Sequence, residues 1–399
     1  MRYELHLLTS GSHTPTREHG MDQTGKTPTI GFGSRVRKSP YFESTRRWGC
    51  NAYTVYNHTY MPIHYGDPVQ EYQQLITAVT IWDVACQRQV QISGPDATRF
   101  VQLLTPRNLS SLAVGQIKYV PLVDENGGMI NDPVLLRIKE DMYWLSLADS
   151  DVLLWAKGVA WGHDFKVELT EPDVSPLQVQ GPRSTDVMQA VVGDWIRDLK
   201  YFWFRETDIE GIPVVVSRTG WSNERGYEVF LRDGTRGNEL WDIIMQAGKP
   251  FDITPACPNQ IKRMEAGIFS YHNDMNLSTN PFEIGMGKFV DLDQEADFIG
   301  KEALRAIARD GVRNRLLGAF IHGAPLPVNE HRWPVTVDDM AVGQVTSCCY
   351  SPTLKQNIAY IYLPAALAMP GRRVMVQTVA GEREAELCEL PFVKNRAGD

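Results

Sequence analysis

The chain has 399 residues, enough for about two or three domains, each with its own core. Its composition, 43% hydrophobic and 22% charged, is that of an ordinary globular protein and excludes a fibrous or wholly disordered one. A net charge of −8 argues against a general nucleic-acid binder, and no run approaches the roughly 18 apolar residues of a membrane span.

Residues 1–33 are rich in Gly, Thr, Ser and His without an apolar period, and read as a disordered N-terminal extension in which Met21 is a second candidate start. Their opening, "MRYELHLLTSGSHTP", is too polar for a secretory signal, so the expected location is the cytoplasm. Beyond "SRVRKSPYFES", the run "VQEYQQLITAVTIWDVA" has helical spacing that gives way to a strand.

An internal echo follows. "VQISGPDATRFVQLLT" (90–105) predicts a strand, a Gly-Pro turn and a helix, with Asp96 the expected N-cap. "LQVQGPRSTDVMQAVV" (177–192) repeats that grammar. Each unit precedes two apolar strands around a Gly-containing turn, "YVPLVDENGGMINDPVLLRI" in the first and "IPVVVSRTGWSNERGYEVFL" in the second. The pattern predicts two α+β halves whose turns are equivalent.

"CPNQIKRMEAGIFSYHNDM" (257–275) is helical in its middle, and "DFIGKEALRAIARDG" (297–311) predicts a helix that closes at Gly311. From about 313 onward short strands recur at turn spacing, which predicts a C-terminal β-barrel. The expected division is an extension at 1–33, an α+β region of two domains at 34–312, and a barrel at 313–399. No Gly-rich phosphate loop or nucleophile elbow occurs. The six cysteines form no CxxC pair and the nine histidines are scattered, so free buried thiols and no metal site are expected. Adjacent Cys348 and Cys349 should point to opposite faces of a strand.

Three residues stand out in the two turns. Asp132 ends "DENGGMINDP", while Trp221 and Glu228 lie in "TGWSNERGYEVF". If the halves pack about a pseudo-twofold axis, the turns converge on one cleft. Taken alone, Asp132 reads first as a turn acid capping nearby backbone N–H groups. Glu228 taken alone is expected to face solvent, since an inward carboxylate needs a partner.

The runs "YVPLVDENGGMINDPVLL", "TGWSNERGYEV", "RMEAGIFSYHNDM", "GQVTSCCYSPTLKQNIA" and "LPFV", in this order over roughly 70–395, resemble the glycine-cleavage T-protein family of tetrahydrofolate-dependent methyl and aminomethyl transferases. Within it, "WDVACQRQVQISGPDA", "LTPRNLS", "INDPVLL", "YWLSLADSDVLLWAKGVAWG" and "VELTEPDVSPLQVQGP" are most similar to the dimethylsulfoniopropionate demethylase branch. Asn131-Asp132 stands where aminomethyltransferases carry paired aspartates, and Ala85-Cys86-Gln87 replaces their Ser-His-Met run. Both departures count against a true aminomethyltransferase.

The resemblance implies a three-domain cloverleaf with a pseudo-repeated α+β core, a C-terminal barrel, and tetrahydrofolate as methyl-accepting cosubstrate in a central channel. It maps the folate-contacting acid onto Asp132, the pterin-binding glutamate onto Glu228 and the flanking aromatic onto Trp221, with Tyr119, Arg263 and Tyr271 at further matching positions. Arg263 becomes a candidate for the folate tail carboxylates. The cluster Arg35, Arg37 and Lys38 could meet the tail or a substrate carboxylate, and "YFWFRE" (201–206) could wall a sulfonium cation. The implied reaction moves a methyl group from dimethylsulfoniopropionate to N5 of tetrahydrofolate; the partner is a small-molecule methyl donor, with no nucleic acid, membrane or metal. The alternatives are another methylated donor (an amine or aryl methyl ether), a glycine-cleavage aminomethyltransferase, and a folate-binding module without turnover.

Overall fold

Apolar strands and turn chemistry account for most of the architecture. The computed structural model describes residues 30–394 and 397–398. The expected disordered extension falls almost wholly outside the described residues, and 30–33 form no helix or strand.

A short helix, α1 (Phe42–Arg47), leads to a hairpin of β1 (Ala52–Tyr56) and β2 (Thr59–His64). Helix α2 (Pro68–Thr77) starts with proline at its first position, and the Asp67 side chain caps it by accepting from the Val69 N–H at 2.8 Å. The first half continues through β3 (Val79–Asp83), β4 (Gln89–Ser93), α3 (Ala97–Leu103), β5 (Ile117–Tyr119), β6 (Leu122–Val123), β7 (Met129–Asn131), β8 (Val134–Lys139), β9 (Met142–Ser146), α4 (Val152–Trp161) and β10 (Glu168–Thr170). The second half comprises β11 (Ser175–Gln180), α5 (Ser184–Val192), β12 (Phe204–Ile209), β13 (Ile212–Ser217), β14 (Gly226–Leu231), α6 (Gly237–Gly248) and β15 (Ile253–Ala256). Helices α7 (Gln260–Glu265) and α8 (Lys301–Asp310) follow; α8 stops at Gly311, whose φ of +85° is the left-handed conformation glycine tolerates.

Among the described residues the two halves form sheets of order β10-β4-β9-β8-β5 and β12-β13-β14-β11-β3-β15. Their Gly-Pro turns are structural counterparts. Gly94 (φ +120°) receives its N–H acceptor from Asp141 O, and Gly181 (φ +125°) from Arg225 O. The cross-strand pairs Ile92–Tyr143 and Val179–Tyr227 then fall in register. A Cβ would lie 2.6 Å from Lys166 O at Gly94 and 2.5 Å from Ala78 O at Gly181, so both turns need glycine. Asp96 is the N-cap residue of α3, as expected, but its side chain makes no cap hydrogen bond: the carboxylate instead accepts from the Lys166 N–H at 2.9 Å, tying the turn to the chain entering β10.

The long turns are not counterparts, contrary to expectation. Residues 124–133 lie between β5 and β8, whereas 218–225 lie between β13 and β14. The counterpart of the first is the tight β12–β13 turn, and that of the second is the tight β8–β9 turn. Each half has been lengthened at a different place.

Each sheet buries one face under helices, with Val187, Leu240 and Trp241 on one and Phe100, Val101 and Ala156 on the other. The remaining faces meet: Ile117, Leu136, Ile138 and Trp144 of the first sheet pack against Phe204, Val215 and Phe230 of the second. The strands are therefore buried on both sides, which is why they show little alternation in sequence.

The barrel closes in the order β16 (Asn314–Ile321), β19 (Gln356–Pro364), β18 (Met340–Ser351), β17 (Trp333–Val337), β20 (Arg373–Thr378) and β21 (Gly381–Cys388), with β21 pairing back to β16. Cys348 enters its interior, while Cys349 joins an outer cluster with Met264, Tyr271, Leu304 and Tyr360. The neighbours do face opposite ways. All six cysteines are free.

Candidate active site

Asp132 is presented by the end of β7. Asn131, fully buried, donates from Nδ2 to Ala148 O at 3.0 Å and Ser150 Oγ at 2.7 Å, and its Oδ1 accepts from the N–H groups of Ala148 and Asp132, both at 3.0 Å. An aspartate could not make the two donations, so one acid, not two, reaches the site. The Tyr119 hydroxyl donates to Asp132 Oδ2 at 2.6 Å. Oδ1 is shut off from solvent with no partner. Burial pushes the Asp132 carboxyl up to about 7, against the hydrogen bonds from Tyr119 and its own backbone N–H and with a further push from Asp274.

Two more tyrosines sense this charge. Tyr271 anchors its hydroxyl on Met129 O at 2.9 Å, and burial followed by the Asp132 charge raises its pKa to about 12. Tyr56, from the β1–β2 hairpin, is raised by burial and then by Asp132. Nothing in "YTVYNHTY" marks Tyr56 apart from the other tyrosines of the hairpin.

Glu228 sits on β14 facing the first sheet. It is buried, 3% exposed, not solvated as expected from the residue alone. Gln178, directly opposite on β11, donates from Nε2 to Glu228 Oε1 at 2.7 Å, and the Thr219 hydroxyl donates to Oε2. Burial raises the Glu228 pKa, and these two hydrogen bonds oppose the shift. Gln180 shapes the turn that carries Trp221: its Nε2 reaches Thr219 O and Tyr227 O at 3.3 Å, and its Oε1 accepts from Ser222 Oγ at 2.6 Å. The amide fills the space where side chains at Gly220 and Gly226 would begin, 2.2 and 2.3 Å from an added Cβ.

Arg263 departs from its expected use. It is fully buried, and its guanidinium donates to Gln260 Oε1, Asp274 Oδ2 and Ser347 Oγ, each at 2.7 Å, and to Ile268 O at 3.1 Å. With four of its five N–H donors committed inside the protein, it is placed to support the site: its guanidinium carbon lies 5.9 Å from the Trp221 ring centre. Asp274 in turn accepts from Thr346 and Ser347 hydroxyls at 2.7 Å. The buried Lys262–Glu224 pair, at 2.5 Å, holds the Trp221 turn on α7. Tyr119 bonds Asp132 and Tyr271 responds to the same charge, while Arg263 lies by Trp221 and Glu228 is held by Thr219, at the start of the turn that carries Trp221.

The remaining candidates lie elsewhere in the packing. Arg37, with Arg88, holds Glu171 in an ion triad that keeps this carboxyl down at about 2, through hydrogen bonds that outweigh the upward push of burial. Lys38 lies 4.8 Å from the Phe42 ring centre. In "YFWFRE", Phe204 belongs to the inter-sheet core and Phe202 packs on it. No group of three or more metal-ligating side chains occurs among the described residues, and no helix there is long and apolar enough to cross a membrane.

Two facing sheets under helices, followed by a barrel packed against α7, form the frame that holds these residues. Residues 41–294 match the GCVT N-terminal domain and 314–394 the glycine cleavage T-protein C-terminal barrel domain. The chain belongs to the glycine-cleavage T-protein family. Among individual members, it is 40% identical to the dimethylsulfoniopropionate demethylase DmdA of Ruegeria pomeroyi over 89% of this chain and 97% of that one. It is 28% identical to an aminomethyltransferase of Halothermothrix orenii over 90% of this chain and all of that one. The crystal structure of the Bartonella henselae glycine cleavage system aminomethyltransferase superposes with a TM-score of 0.82 at 20% identity, over 91% of this chain and all of that one.

Proposed function

We propose that the protein is a cytoplasmic, tetrahydrofolate-dependent demethylase that moves a methyl group from dimethylsulfoniopropionate to N5 of tetrahydrofolate, giving methylmercaptopropionate and 5-methyltetrahydrofolate. The 40% identity to a dimethylsulfoniopropionate demethylase, over nearly that protein's whole length, carries the reading. Asn131 supports it: its two side-chain donations leave a single carboxylate where aminomethyltransferases have two.

The residues fit a reduced folate. An unpartnered, buried Asp132 Oδ1 and the inward Glu228 are acceptors suited to a heterocycle rich in N–H groups, and Trp221 offers a flat aromatic face. Tetrahydrofolate supplies the nucleophilic N5 that receives the methyl group, while the sulfonium leaves as a neutral thioether and needs no acid to protonate it. Catalysis by the protein then rests on alignment, for which orientation contributes up to roughly 7–11 kcal/mol. Glu228 and Trp221 fix the plane of the ring. Asp132 faces positive charge as it develops and can accept the proton that N5 must give up, a task suited to a carboxyl raised to about 7. Tyr119 holds that carboxylate in place from Oδ2.

The test is direct. Purified protein is incubated with tetrahydrofolate and equal concentrations of dimethylsulfoniopropionate and glycine betaine, and products are identified by mass. Methylmercaptopropionate should appear first, with matching 5-methyltetrahydrofolate. Consumption of betaine, or of an aryl methyl ether, ahead of the sulfonium would overturn the donor assignment and leave folate dependence standing.

A further inference from the structure

The two halves carry the same cross-strand pair position and use it differently. Counting back from the matching Gly-Pro turns, Gln91 on β4 corresponds to Gln178 on β11, and their partners Trp144 and Glu228 correspond on β9 and β14. Both glutamines face the space between the sheets. In the first half the pair is closed: the Trp144 indole N–H donates to Gln91 Oε1 at 3.0 Å, and the ring packs on Phe230 at 6.4 Å between centres. In the second half the amide is turned round. Glu228 as an anion only accepts, so Gln178 must give it the Nε2 donor, at 2.7 Å. That leaves Gln178 Oε1 facing the same side as Glu228, buried and with no partner, on a residue only 1% exposed.

A buried acceptor left unmet is costly to the fold, and one half of this protein shows how a neighbouring donor removes that cost. The second half forgoes it beside a carboxylate. From this we infer that Gln178 is a ligand-binding residue: its Oε1 accepts one N–H of the exocyclic amine of the pterin while Glu228 accepts from the adjacent N–H groups. Two acceptors side by side match the donor edge of a 2-amino-4-oxo pyrimidine ring and mismatch a ring without the amine. The inference rests on the folate reading above and deepens it, assigning recognition of the ring's amine edge to a glutamine as well as to the acid.

The test compares tetrahydrofolate with its 2-desamino analogue, by equilibrium titration of intrinsic fluorescence without methyl donor. Wild type should prefer the parent by about tenfold or more, the scale of one or two hydrogen bonds into a buried site. Gln178→Met should weaken the parent by about tenfold and the analogue much less, narrowing the preference. Gln91→Met, at the corresponding position of the first half, should leave the preference unchanged. Equal weakening of both ligands by Gln178→Met would make the residue structural and overturn the inference. So would equal affinity of wild type for the two ligands, a result that needs no variant to fold. Failure of wild type to bind tetrahydrofolate at all would instead remove the folate reading, so the two failures are separable.

Discussion

The Tyr119 hydroxyl and Asp132 Oδ2 lie 2.6 Å apart, and this contact leaves the other carboxylate oxygen buried and unmet. The tyrosine stabilises the anion while burial opposes it, and burial prevails, with the carboxyl at about 7. Turnover that needs the anion should therefore rise with pH through about 7 and level off above it. Tyr119→Phe removes the donor that favours the anion, so the inflection in kcat should move to higher pH, by about one unit for a hydrogen bond of this class.

Asp132→Asn should lower kcat by about a hundredfold or more, the range for loss of a positioned base, and abolish the inflection. The stability effect has the opposite sign. Between the ordinary carboxyl value of 3.8 and about 7 the native state keeps a proton that the unfolded chain has lost, so stability declines as pH rises through this window. Asparagine carries no such charge. Melting curves should show Asp132→Asn more stable than wild type at pH 8 and nearly equal to it at pH 4.

Glu228→Gln replaces a charged acceptor with a neutral one beside Gln178 and Thr219. Hydrogen bonds to charged groups contribute about 1.5–3 kcal/mol, so tetrahydrofolate affinity should fall by about ten- to a hundredfold. The KM for the methyl donor, measured at saturating folate, should change little.

Gly226→Ala would place a Cβ 2.3 Å from Gln180 Oε1 and push out the amide that holds the Trp221 turn. Overpacking of this kind costs about 1–3 kcal/mol. The expected readout is a lower melting temperature together with weakened folate binding, and turnover reduced alike for every donor.

Arg263→Met would leave Asp274 buried without its counterion, a change that costs about 3–5 kcal/mol. The variant should melt well below wild type. Its relative affinity for tetrahydrofolate and for an analogue lacking the glutamate carboxylates should stay as in wild type, because the guanidinium is spent on internal partners.

The parts legible in the sequence were those written in local chemistry. The Gly-Pro echo, the stop at Gly311 and the spacing of the barrel strands each follow from a few neighbouring residues, and the structure reproduces them. The matching of the two long turns failed because similar flanking strands conceal which connection has been lengthened; only the register of β9 and β14 tells them apart. Glu228 taken alone pointed outward because an inward carboxylate needs partners, and its partners Gln178 and Thr219 come from another strand and from the turn before β14. Arg263, a candidate for the folate tail in "IKRMEAG", takes its partners Asp274 and Ser347 from other segments, which nothing in that run foretells. Gln178 had a faint signal, a second glutamine two residues before Gln180 in an otherwise apolar strand, but its meaning depends on the acid opposite it.

Arg263, Asp274 and Glu265 also bind the barrel to the rest of the molecule, through Ser347, Thr346 and Ser351, and the Tyr360 hydroxyl closes on Met264 O at 2.9 Å. Cys349, Ile358 and Tyr360 share a core with Met264 and Leu304, so neither side of this seam has an apolar surface complete without the other. The barrel then has no independent melting point. Heat should take the whole molecule through one cooperative endotherm, and a chain ended at Arg313 should aggregate instead of folding as a smaller enzyme.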